Sequence, residues 1–61
     1  MDDRIDDIRS RLESIAEELT DVSVDLLREA VEAGETARPE MDKRLAQARR
    51  AVEKASRALE A

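Results

Sequence analysis

The sequence predicts an all-α fold, a two-helix antiparallel hairpin, and three observations predict it. Apolar residues recur at alternating four- and three-residue steps in two separate runs. The single glycine and the single proline fall close together between those runs. The two runs also differ in charge, with eleven acids against four bases in residues 1–33 and five acids against seven bases in residues 34–61.

The first run is Met1, Ile5, Ile8, Leu12, Ile15, Leu19, Val22 and Leu26, a heptad seam of the coiled-coil kind. It predicts a helix over about residues 2–33. Asp2 or Asp3 can cap its start by accepting from free backbone N–H groups, and Asp6 and Asp7 sit where the helix dipole favours negative charge. Past Leu26 the next seam position is Glu29, while Val24, Leu27, Ala30 and Val31 open a second apolar strip rotated around the helix. The C-terminal half of the helix is therefore expected to touch more than one neighbour.

Gly34-Glu35-Thr36-Ala37-Arg38-Pro39 carries the breaker chemistry, with Gly just past one helix end and Pro just inside the next helix start. This places the hairpin turn at residues 34–38. A second helix over about residues 39–60 follows, with Glu40 and Asp42 in its first turn and a seam of Met41, Leu45, Ala48, Val52, Ala55 and Leu59. Ala46, Ala51 and Ala58 widen its apolar surface without adding bulk, so a neighbouring helix can come close.

At ~1.5 Å per residue the helices would be about 48 Å and about 33 Å long. Folded back at the turn, Val31 is expected to meet Met41, Leu27 to meet Leu45, Leu19 to meet Val52, and Leu12 to lie near Leu59. Met1, Ile5 and Ile8 are then left without an intrachain partner. Together with the Val24, Leu27 and Val31 strip, they form the expected interface to another helix. The expected partner is a second copy, giving a homodimer and a four-helix bundle, or another helical protein. The opposite charge of the halves favours packing the first helix against the second.

Size and composition point the same way. A chain of 61 residues is one domain, and a domain of that size buries only ~60 % of the surface that its unfolded chain exposes. With no cysteine and no histidine, neither a disulfide nor a familiar zinc site can staple it, which leaves oligomerisation. No apolar stretch approaches the ~20 residues of a membrane span and nothing resembles a signal peptide, so a cytoplasmic location is expected and no membrane partner.

The same composition removes most chemistry. His, Cys, Tyr, Trp and Asn are all absent, so hydrolase triads, thiol catalysis and zinc chemistry have no residues to use. No catalytic residue, metal, cofactor or small-molecule substrate is expected. The acidic Asp2, Asp3, Asp6 and Asp7 read as a helix cap and dipole-complementing turn, since no glycine-bearing loop gathers their oxygens around a cation. Lys43, Arg44, Arg49, Arg50, Lys54 and Arg57 make the second helix basic, but aromatic stacking residues are absent and the net charge is −5. Unaided nucleic-acid binding is accordingly not expected. Ser10, Ser14, Ser23 and Ser56 have no neighbouring base and read as helix-surface residues.

One stretch resembles a known family. Val22-Ser23-Val24-Asp25, Gly34, Arg44-Leu45, Ala48 and Val52-Glu53 stand at spacings similar to those of the exonuclease VII small subunit. The resemblance spans about half the chain. Proteins of that family are short helical hairpins that join a large catalytic subunit in degrading single-stranded DNA. The resemblance implies a non-catalytic accessory role and a turn near Thr20–Ser23, whereas Gly34 and Pro39 place the turn at 34–38. The unbroken seam through Leu19, Val22 and Leu26 favours the latter. The expected function is that of a non-enzymatic structural or interaction protein.

Overall fold

Asp2 sets the start of the first helix. Its backbone is extended (φ −70°, ψ 131°) and its carboxylate accepts from the Arg4 backbone N–H at 2.7 Å, satisfying one of the free donors of the first turn. The computed structural model describes residues 2–35 and 39–60, and within them α1 spans Asp3–Glu32 and α2 spans Glu40–Ala58. Both lie close to their expected bounds. α1 runs without interruption through Thr20–Ser23, and the chain reverses between Glu32 and Glu40. Of the expected turn, residues 36–38 lie outside the described residues, as does Met1.

The Arg4 guanidinium reaches Asp2 at 3.1 Å, and this contact first, then the Arg4 backbone N–H, holds the Asp2 carboxyl below its ordinary range. A group whose pKa is lowered by folding stabilises the folded state above its unfolded pKa. That stabilisation is lost as pH falls through the lowered folded value. The melting temperature is therefore expected to drop on the acid side of the carboxylate range. Asp2→Ala should flatten that part of the profile, as read by circular dichroism melts at stepped pH.

α1 stops at a glycine cap. Gly34 has φ 77°, its N–H donates to the Val31 carbonyl at 3.0 Å, and the Glu35 N–H donates to the Ala30 carbonyl at 3.0 Å. These two bonds make the Schellman arrangement, which closes carbonyls that the last turn leaves open. A Cβ on Gly34 would meet nothing within 4 Å, so only the backbone conformation opposes a side chain there. Gly34→Ala is expected to cost ~1–2 kcal/mol in urea unfolding, and Gly34→Asn less. α2 begins after Pro39, whose fixed φ (−57°) suits the approach to a helix. Glu40 and Asp42 stand at its positive end and Arg57 in its last turn, both favourable to the dipole.

The helices are antiparallel. Ser23 of α1 bonds to Asp42 near the start of α2, Thr20 meets Arg49, and Leu12 and Ala16 share an open depression with Ser56 and Arg57. At the other end Leu26 and Ala30 lie with Pro39. Position falls along α2 as it rises along α1. The whole is a rod with extents of 49 × 14 × 11 Å.

The contact between the helices differs in composition from the expected seam. Leu12, Leu19, Leu26, Leu45, Val52 and Leu59 are half-buried along it, as expected. Ile15, Val22, Met41, Ala48 and Ala55 were expected there too, yet all five are exposed. Val31 (75 % exposed) and Met41 (51 %) do not cover each other, and Ala30 rather than Leu27 is buried at that end. Small residues explain the rotation. Ala16, Ser23, Ala30, Ala46 and Ser56 let the two backbones approach on one flank of each seam, and the alternate seam residues are turned outward. A helix with a single neighbour covers one line of contact, whereas an alternating four-three seam fully covered on both sides needs more than one neighbour.

A candidate interaction surface

The flank that closes the hairpin is polar. Ser23 Oγ donates to Asp42 Oδ1, and Asp42 is fully buried although it belongs to the first turn of an amphipathic helix. Thr20 Oγ1 donates to the Ala16 carbonyl at 3.2 Å and accepts from Arg49 Nη1 at 3.5 Å. Arg49 Nε lies 3.3 Å from Glu53 Oε1, an ion-pair distance without the alignment of a hydrogen bond. Ser56 is buried as well. Ser23 and Ser56 thus depart from the surface role expected for all four serines, while Ser10 and Ser14 keep it. Ala16, Thr20, Ser23 and Ala30 recur at steps of four, three and seven beside the seam, and that small-residue run is the signal for this contact.

The opposite consequence is an uncovered apolar face. Ile8, Ile15 and Val22 stand one heptad apart on α1 and are 45 %, 42 % and 46 % exposed. Ile15 and Val22 lie well within the stretch that α2 accompanies, so they are exposed because they point away from it and not because α1 is longer. Met41, Ala48 and Ala55 repeat the same spacing on α2 and are also exposed. Beside them Ala51 and Ala58 continue a stripe of small side chains. Both stripes follow the half-buried leucine rows on the same side of each helix, so they flank one face of the hairpin. Ile5 extends this face past the end of α2 and is exposed as expected.

A second apolar patch lies elsewhere. Val24, Leu27 and Val31 are exposed, and at about 100° per residue they fall roughly 140–180° around α1 from Val22. One neighbouring helix cannot touch both patches.

The charges remain available at the surface. Ion pairs within the helices join Arg9 with Asp6 at 3.7 Å, Arg11 with Asp7, Arg28 with Asp25 at 3.8 Å and Arg49 with Glu53. α1 carries ten acids against four bases and α2 three acids against six bases, net −6 and +3.

Among the described residues no three or more acidic side chains are arranged to hold a metal ion. None of their helices is long and apolar enough to cross a membrane. Comparison with protein-family models, with curated proteins and with solved structures returned no match to this chain. The arrangement can act by contact, since what the surface offers is two apolar patches and a strong division of charge.

Proposed function

We propose that this chain is a non-enzymatic interaction protein, a helical hairpin that self-associates into a four-helix bundle by burying its Ile8, Ile15 and Val22 face. The observation that carries the reading is the state of its aliphatic side chains. Ala30 is the one described apolar residue that is buried (8 % exposed), while eight large apolar residues stay exposed. A two-helix unit of this size has little stability of its own, and a second hairpin covers such a face at the cost of no new sequence. The composition, 44 % charged and free of cysteine, suits the cytoplasm, and that location belongs to the same proposal.

Sedimentation equilibrium at micromolar concentration is expected to give a dimer or larger species, with a melting temperature that rises with protein concentration. A folded monomer at those concentrations overturns the reading.

The exposed Val24, Leu27 and Val31 patch favours a second role alongside the first. It faces away from the proposed dimer surface and so can hold a different protein. The resemblance of Val22-Ser23-Val24-Asp25 to the exonuclease VII small subunit supports an accessory role beside a larger enzyme, such as a single-strand DNA exonuclease. Co-expression with a large exonuclease subunit tests it. Val24→Asp with Val31→Asp is expected to abolish co-purification while leaving self-association unchanged, and failure of the unaltered chain to co-purify removes this role.

A further inference from the structure

Two hairpins can be joined face to face in two symmetric ways, and they differ in which helix meets which. A two-fold axis across the helices sets α1 on α1 of the second copy and α2 on α2. A two-fold axis along the helices sets α1 on α2 of the second copy, with both turns at the same end. Adjacent helices are antiparallel in either case, so the choice rests on side chains.

We infer that the exposed apolar face is covered by a second copy of this chain with α1 of each copy lying on α2 of the other. This inference rests on the self-association proposed above and assigns its geometry. Charge is the first argument. Contact of α1 with α1 would bring together two helices of net −6, whereas contact with α2 brings −6 beside +3.

Register is the second argument. An axis along the helices leaves every residue at its own height, so the pairing between copies is inherited from the pairing within one. Ser23 stands level with Asp42, and Leu12 with Ser56 and Arg57. Ile15 of one copy is thereby set over Ala51 and Ala55 of the other, Ile8 over Ala58, and Val22 beside Ala48. Large β-branched side chains then meet small ones all along the contact, the alternation that lets facing layers interdigitate. On the outer edge, Asp25 of α1 comes level with Arg44 of α2. The other arrangement would stack the isoleucines on one another and the alanines on one another, giving one wide and one narrow contact.

Because the chain has no cysteine, the geometry can be read by single-cysteine cross-linking. Ile15→Cys chains mixed with Ala55→Cys chains and oxidised in air are expected to give the mixed disulfide as the main product. A disulfide needs Cα atoms within ~7 Å, and in this arrangement the two Ile15 positions lie diagonally across the bundle, beyond that reach. A dimer by sedimentation that yields no mixed disulfide, or that links Ile15→Cys to itself, overturns the arrangement while leaving self-association standing. Monomers under the same conditions overturn both. Charge reversal gives an independent reading. Asp25→Arg and Arg44→Asp should each weaken the dimer by about three- to tenfold, and the two together in one chain should restore it. Losses that simply multiply in the double variant count against the arrangement.

Discussion

Ile15→Asp is expected to raise the dissociation constant of the dimer by at least ~100-fold, the largest effect of any single surface substitution in this chain. Burying one isoleucine side chain is worth ~1.5–3 kcal/mol, and a dimer carries the change twice. The introduced carboxylate would also be desolvated against Ala51 and Ala55. Ile15 is 42 % exposed in the hairpin and does not support its polar flank, so the variant chain should keep the hairpin contact at Ser23 and Asp42. Its helicity should nevertheless become marginal at low concentration, because the separated hairpin shields so little apolar surface. Val24→Asp supplies the control, since it adds the same charge on the far side of α1 and is expected to shift the dissociation constant by less than ~3-fold. Analytical ultracentrifugation of the two variants checks this directly. Equal behaviour of Ile15→Asp and Val24→Asp would mean that the isoleucine face is not where copies meet.

The elements were legible in this sequence because each local signal agreed with the others. Gly34 at a left-handed cap, Pro39 before α2, Asp2 at the N-terminus of α1 and the heptad steps all specify the same two helices. The rotation of the helices about their own axes was less legible. An alternating four-three seam names an apolar stripe but does not say which edge of it faces the first neighbour. Here that was decided by Ala16, Ser23, Ala30, Ala46 and Ser56, whose small size permits close approach. Hydrophobicity alone passes over these positions and puts Ile15, Val22 and Met41 inside the hairpin, although they lie outside it. The same blindness hid Asp42. An acidic residue in the first turn of a helix is explained by the dipole alone, and nothing in its spacing marks it as fully buried.

Asp42 is for that reason the position where a single change should most disturb the hairpin itself. A heptad seam can slide by seven residues and still match apolar with apolar. In this chain Leu12, Leu19 and Leu26 are a half-buried row of α1, and Leu45, Val52 and Leu59 form one on the α2 side, so a slip by one heptad would still keep at least two apolar layers. The bond from Ser23 to Asp42 and the approach of Arg49 to Thr20 are polar contacts that only one register provides. Asp42→Ala leaves the Ser23 hydroxyl without this acceptor and removes a negative charge from the start of α2, and a loss on the order of 1–3 kcal/mol is expected in urea unfolding. Asp42→Asn keeps an acceptor in place and should cost less. Ser23→Ala combined with Asp42→Leu is expected to recover part of that stability, since no Ser23 hydroxyl is then left without this acceptor. What it should not recover is a single register. Cysteines placed at Thr20 and Arg49 in the Ser23→Ala, Asp42→Leu background are expected to form their intrachain disulfide more slowly and less completely than in the otherwise unaltered chain. If they close equally well in both, Ser23 and Asp42 contribute stability alone, and the leucine layers suffice to hold the helices in place.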